Sequence, residues 1–384
     1  MSPAAKQRGA PVRVLYLMPH ASRGGAERVT MDLLVAHDRR AVEPAVCFLG
    51  EGPLVAACRD GLGVPTFEVR RPRLRSFVER GRAVKTIAAL VREHGIDLVH
   101  SAMAWGHVLG GRAAARARRP AVWYQHNRAS LRSAVEVAAG LTPARRVFAN
   151  SAFTAEAQHR VNLRRTPITV MPYGTVLPTE SYAVRRARGR AALGLPPDAF
   201  VVGIAARLQR WKGQDVVVRA AASLLRARPG SRLAVIGGAL FGLEPAFEAE
   251  VKGLAASLGI AERVIFTGHR DDVADCLAGL DVAVHASVHP EPFGLALIEA
   301  MAAGTALVAA DAGAVREIVT PGSDGLLVPP GDHEALAVAL LALADDRDLR
   351  LRLARNGMRT ARERYDVRAM TRRIEGAYAE VLRR

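Results

Sequence analysis

Short, continuously apolar runs alternate with longer amphipathic or Ala-rich stretches from one end of this chain to the other. In the first half the runs cover 12–18 (VRVLYLM), 45–49, 97–100, 121–125 and 146–150. In the second half they cover 200–206 (FVVGIAA), 232–237, 263–268, 282–286 and 306–310. Runs without polar alternation predict strands covered on both faces, hence parallel sheets, and the stretches between them predict the covering helices. Repeated βαβ units imply a doubly wound α/β architecture. The rhythm breaks once, over 172–200, where prolines, glycines and an Arg run carry no apolar period, and this predicts a linker with one short helix. Each half is therefore expected to be a Rossmann-like domain, with boundaries 1–178 and 179–365. Two such domains facing across a cleft would bind ligands at the carboxyl ends of both sheets. After about residue 333 the pattern is purely helical, ending in RAMTRRIEGAYAEVLRR.

Composition narrows the class. The 384 residues suffice for two ordinary domains, and 50% apolar with 24% charged residues is the profile of a globular enzyme. No apolar run reaches membrane-spanning length, and the opening residues form a polar tail before a strand, without a signal-peptide core, so a cytoplasmic location is expected. Cys47, Cys58 and Cys276 are too scattered for a disulfide framework or a metal site and are expected to be small buried hydrophobes. The net charge of +17 is carried almost wholly by arginine. Between Asp97 and Glu136 there is no acid, while Arg112, Arg116, Arg118, Arg119, Arg128 and Arg132 fall there, and a second basic cluster runs from Arg70 to Arg82. A solvated basic face and attraction to an anionic acceptor or membrane surface both account for these clusters. Reversing the charge of Arg116, Arg118 and Arg119 is the test of the second account. No RNA-binding aromatic motif accompanies the charge, so nucleic acid is not an expected partner.

Three segments carry candidate chemistry. In HPEPFGLALIEAMAAGTALVAA (289–310), Glu291 sits in the loop after a strand, a helix opens near Phe293 or Gly294 and ends at Gly304, and Glu299 lies on that helix. Backbone N–H groups at such a helix start can meet an anion. In GIAARLQRWKGQD (203–215), Arg207 and Lys212 follow a strand and could neutralise a diphosphate. In HASRGGAERV (20–29), Gly24 and Gly25 allow close backbone approach of a ligand without forming the dinucleotide fingerprint. The only Asp-x-Asp, Asp346-Arg347-Asp348, falls in a polar break between helices, where a helix cap is expected. His285 and His289 span a strand end and a proline loop rather than one helix face, so no metal is expected there.

The order GGAE, then R-x4-K-G, then EPFGLALIEA resembles the retaining family 4 glycosyltransferases (glycosyl transferases group 1) of the GT-B fold. Support comes from QHN (125–127), NS (150–151), FTGHRDD (266–272), REIV (316–319) and DGLLVPPGD (324–332). The resemblance implies two Rossmann-like domains, with the last helix, about 366–384, packing back on the first. It implies an acceptor domain followed by a domain for a nucleotide diphosphate sugar, a UDP-sugar being favoured, and transfer of a hexosyl unit with no cofactor or metal. Arg207 and Lys212 would hold the diphosphate, Glu299 the ribose, and Glu291 the hydroxyls of the transferred sugar. The backbone of Phe293, Gly294 and Leu295 would meet sugar and phosphate, Gly24 and Gly25 would close on the diphosphate, His126 would face the sugar near its C6 hydroxyl, and Arg270 would meet the base by its main chain. Family members often carry Asn-Gly where this chain has Tyr173-Gly174. Alternatives are a non-hydrolysing nucleotide-sugar epimerase of the same fold and, further off, a non-catalytic basic binding protein. The acceptor, anionic or lipid-linked, is not specified by these motifs, nor is the choice between front-face transfer and a covalent intermediate.

Overall fold

The computed structural model describes residues 10–239 and 244–383, so the polar tail expected at 1–9 lies outside the described residues. The chain divides into one unit formed by Met1–Gly174 with Val367–Arg384, and a second formed by Thr175–Asp366.

The first unit holds seven strands, β1 (Val12–Met18), β2 (Val42–Leu49), β3 (Thr66–Val69), β4 (Leu98–Ala102), β5 (Ala121–Gln125), β6 (Arg146–Ala149) and β7 (Ile168–Val170). They form one parallel sheet in the order β3-β2-β1-β4-β5-β6-β7. Strand β1 alternates between two buried faces. Leu15 and Leu17 enter the core with Ile87, Val91, Val108 and Leu109 from the helices Phe77–Glu93 and Met103–Arg116. On the other face Tyr16 stacks on His100 at 4.9 Å, and its hydroxyl lies 2.6 Å from His37 Nε2 and 2.8 Å from the hydroxyl of Tyr378. Tyr378 belongs to the helix Val367–Arg383, and Glu375 of the same helix meets His37 Nδ1 at 2.8 Å. The last helix is thus pinned to the first unit by buried polar contacts, which cost several kcal/mol if left unmade.

The second unit holds β8 (Val201–Ala205), β9 (Arg232–Ile236), β10 (Val264–Phe266), β11 (Val282–His285), β12 (Ala306–Ala310) and β13 (Leu326–Val328). They too are parallel, in the order β10-β9-β8-β11-β12-β13. Val202, Ile204, Val282, Val284 and Val308 pack against Val217, Ala221 and Leu224 of the helix Gln214–Ala227. Cys47, Cys58 and Cys276 are all free and buried, with burial pushing their thiols up to about 12, 11 and 11.

Two sequence expectations are corrected. Strands β3, β7 and β13 were not foreseen; each lies at a sheet edge and is only partly buried, so it lacks the unbroken apolar run of a central strand. The segment 172–200 is more than a linker, because Tyr182–Ala192 is an integral helix of the second unit. It touches the helix Val273–Gly279 so closely that a Cβ on Gly189 would come within 1.9 Å of the Asp275 carbonyl oxygen. Its Arg run fixes it in place. Asp281 accepts from Arg186 (2.8 Å), Arg190 (2.9 Å) and the backbone N–H of Val201 (2.9 Å). Arg190 is buried, so Asp281→Ala strands its charge and is expected to cost about 3 kcal/mol of unfolding free energy, measured by urea denaturation.

Candidate active site

The candidate donor-site residues follow the carboxyl ends of parallel strands. Gly24 and Gly25 come after β1 and His126 after β5, while Arg207 and Lys212 come after β8, Arg270 after β10 and 291–295 after β11. In the second unit β8 and β11 are neighbours, and the strand order reverses between them. Open α/β sheets bind ligands at such a switch point, because the loops on either side part there.

Lys212 and Glu291 meet at this point. Lys212 Nζ donates to Glu291 Oε2 at 2.8 Å, Ser287 Oγ donates to the same oxygen at 2.8 Å, and His285 Nε2 lies 3.1 Å from it. Among the described residues the hydrogen bonds on this carboxylate fall on Oε2, and Oε1 is the oxygen left to accept from a ligand. Glu291 is 6% exposed. Burial alone would raise its pKa, but the hydrogen bond from His285 and the charge of Lys212 outweigh it and hold the carboxyl well below the usual carboxylate range. For Lys212 burial is the larger effect. Burial lowers its pKa against the pull of Glu291, and the nearby charge of Arg207 lowers it further. Its ammonium also sits 3.7 Å from the centre of the Trp211 ring.

Glycines make this packing feasible. Gly213 (φ +72°) lets the turn after Lys212 pass Ala286, whose carbonyl oxygen a Cβ would approach to 2.1 Å. Gly294 (φ +102°) caps the helix Leu295–Ala303, turning the N–H groups of its first turn outward from the helix ladder, while Phe293 is buried against Tyr365. Glu299 lies half-buried on this helix, one turn beyond Leu295. Arg270 is tied by its side chain to Asp272 at 2.7 and 2.5 Å, which leaves its main chain as the part able to meet a ligand.

In the first unit Gly24 precedes the helix Gly25–Ala36 with φ −149°, an angle any residue adopts, so its contribution is the absent side chain. His126 is buried, which pushes its pKa down to about 3 and keeps the ring neutral. Its Nδ1 lies 2.5 Å from the Tyr173 hydroxyl, while Nε2 is buried with no partner among the described residues. Asn150 Nδ2 donates to the His126 carbonyl oxygen (3.2 Å) and to the Tyr173 oxygen (2.9 Å). The Tyr173-Gly174 departure thus braces the histidine ring. Tyr173→Phe is expected to lower stability by about 1–2 kcal/mol in urea denaturation, and the loss should shrink in a His126→Ala background.

Asp346 caps the helix Arg347–Arg364 by accepting from the Leu349 N–H at 2.8 Å. Among the described residues no three His, Cys, Asp or Glu side chains are grouped to hold a metal ion, and no helix is long and apolar enough to cross a membrane.

Comparison with known proteins matches this arrangement. Residues 186–360 match the family model described as Glycosyl transferases group 1, and residues 23–177 match that described as Glycosyltransferase Family 4. The D-inositol 3-phosphate glycosyltransferase of Streptomyces coelicolor is 35% identical over 380 residues, covering 88% of this chain and 80% of the relative. The chain belongs to the group 1 glycosyl transferases. Its fold is GT-B: Anabaena HepE, solved in complex with UDP-glucose, superposes with a TM-score of 0.83 at 28% identity, covering 96% of this chain and 99% of HepE. The lipopolysaccharide core biosynthesis mannosyltransferase LpsB of Rhizobium meliloti is 33% identical over 219 residues, 56% of this chain and 62% of LpsB. This glycosyl transferase thus spans about six tenths of the length of some curated relatives.

Sequence reasoning missed several parts of this candidate site. His285 had been weighed only as a metal ligand, and Ser287 not at all. His285 ends β11 and Ser287 lies in the loop that also carries Glu291, so their nearness in sequence was the available signal. Gly313 gave none, although it locks the Glu291 backbone from 22 residues away, through Ala314 N–H to Glu291 O at 2.9 Å.

Proposed function

We propose that this glycosyl transferase moves a hexosyl unit from a nucleotide diphosphate sugar, a UDP-sugar in the first instance, to an acceptor hydroxyl with retention of anomeric configuration. The observation that carries this reading is the buried Lys212–Glu291 pair at the β8/β11 switch point, beside the open N-terminus of the helix Leu295–Ala303. A diphosphate there meets two cations and a row of N–H groups. An ammonium has three donors, so Lys212 can serve phosphate oxygen while still holding Glu291.

As the anomeric C–O bond breaks, its electron pair goes to the diphosphate. Arg207, Lys212 and the N–H groups of Gly294 and Leu295 stabilise that charge, the term that usually dominates such catalysis. The acceptor oxygen bonds to the anomeric carbon and its proton passes to the departing phosphate. Glu291 is held ionised, so it acts as an acceptor of sugar hydroxyls through Oε1 and not as a proton donor. Glu299 takes the ribose hydroxyls, and the Arg270 main chain meets the base. His126 and Gly24–Gly25 belong to the first unit, on the rim after β5 and β1. That unit also takes the acceptor.

The binding of UDP-glucose by HepE supports the donor class. A thermal-shift panel of UDP-, GDP- and dTDP-sugars tests the proposal: the cognate donor should raise Tm in proportion to its saturation, and no shift with any of them sinks it. Isomerised donor formed without any acceptor would replace transfer by epimerisation.

A further inference from the structure

From the end of β3 into the first turns of the helix Phe77–Glu93 the chain reads RRPRLRSFVERGR (70–82), with six arginines against one glutamate. Three apolar side chains stand among them in solvent: Leu74 is 49% exposed, Phe77 81% and Val78 64%. Single exposed apolar residues are ordinary, but here three fall within five residues, Leu74 in the turn before the helix and Phe77 and Val78 in its first turn.

The turn that presents them is tightly held. Ser76 Oγ accepts from the Glu79 N–H at 3.2 Å, and Glu79 accepts from the backbone N–H of Arg73 at 2.8 Å and from its Nε at 2.7 Å. The lone acid of the segment is therefore matched by Arg73, while Arg70, Arg75 and Arg82 point their charge at solvent. The Arg80 guanidinium lies over the Phe77 ring, 4.3 Å from its centre. Farther along the sheet, the loop after β5 adds Leu131, 60% exposed, between the exposed Arg128 and Arg132. Both loops leave the carboxyl ends of strands in one parallel sheet, so they lie on the same rim, which is also the rim of His126. Arg116, Arg118 and Arg119 end the helix that returns from β4 and precede β5, which puts them on the opposite rim. The acid-free stretch is thus divided between two ends of the sheet.

Arginine forks match phosphate, and exposed Leu, Phe and Val gain by leaving water. A polyanion would satisfy the arginines and leave the apolar trio wet, whereas a phospholipid headgroup layer satisfies both, with phosphates above and acyl chains just below. We propose that the rim carrying Leu74, Phe77, Val78 and their flanking arginines docks on an anionic phospholipid bilayer. Docking does not depend on the transferase reading. If that reading also holds, docking brings a lipid-linked acceptor to the end of the sheet that carries His126.

The test is co-sedimentation of the full chain with vesicles of phosphatidylcholine alone and of phosphatidylcholine mixed with phosphatidylglycerol. Partitioning onto the anionic vesicles should exceed that onto the neutral ones by about tenfold and weaken with added salt. L74S/F77S/V78S should reduce it by about tenfold, and R70E/R75E/R82E should abolish it. R116E/R118E/R119E, with the same charge change on the opposite rim, should bind like the wild type. All nine positions are largely exposed, and an unchanged Tm for each variant excludes misfolding. Equal or absent binding to the two vesicle types overturns the proposal, as does equal loss from either charge reversal. It also falls if light scattering shows a dimer that L74S/F77S/V78S converts to a monomer, since the patch would then face a second copy. A donor panel without any thermal shift would leave this result standing.

Discussion

Lys212→Ala is expected to lower turnover of the cognate nucleotide sugar about a thousandfold, because it removes a preorganised cation from the site where leaving-group charge develops. Steady-state kinetics should show the loss mainly in kcat, since the cation matters most when the bond is breaking. The same change acts on stability. Glu291 keeps its hydrogen bonds to Ser287 and His285 but loses its ion pair in a buried place, which is expected to cost about 3 kcal/mol. The pH dependence gives the sign of the effect. Glu291 has its pKa depressed on folding, so its contribution is complete above the unfolded value of about 4.3 and disappears as pH falls toward the folded value. In the variant the depression is smaller, so stability should fall less steeply below that pH. Wild-type turnover in Lys212→Ala would refute the assignment of the diphosphate to this lysine.

Gly313→Ala is expected to cut kcat/KM about a hundredfold without touching a charged group. Gly313 holds φ +72° and pairs with Glu291 in an isolated bridge between the loops after β12 and β11. A Cβ there would come within 2.3 Å of the Glu291 carbonyl oxygen and 2.6 Å of its nitrogen, so the Glu291 backbone must move. A shift of about 1 Å in a positioning group is enough for a loss of that size. The left-handed angle adds a stability cost of about 1–3 kcal/mol. Unchanged kinetics alongside a lowered Tm would show that the loop bears on folding and not on the site.

Much of the fold was legible because central strands are buried on both faces and show it in unbroken apolar runs. The predicted 12–18, 121–125 and 306–310 coincide with β1, β5 and β12. Edge strands β3, β7 and β13 have one side toward solvent and a mixed composition, and they were not visible. The helix Tyr182–Ala192 was expected only as one short helix in a linker, because its arginines interrupt any apolar period; Arg186 and Arg190 in fact face Asp281, and Arg190 also the carbonyls of Pro196, Pro197 and Ala199. A charge run looks solvated in sequence whether or not partners await it, since those partners lie about 90 residues away in the case of Asp281.

The candidate site divides in the same way. By itself the sequence indicated the strand-end loops, a helix opening near Phe293 or Gly294 and the candidates Arg207, Lys212, Glu291 and Glu299, because caps, turns and apolar periods are set by neighbours a few residues apart. Strand order is not local. Only the tertiary structure put β8 beside β11 and so brought Lys212 to Glu291 across 79 residues. It alone set Tyr173 on His126, closed the Gly313 loop over the Glu291 backbone, and separated the arginines of one rim from those of the other. A carboxylate shows in the sequence, but whether it is ionised depends on burial and on the donors packed around it, which only the folded chain supplies.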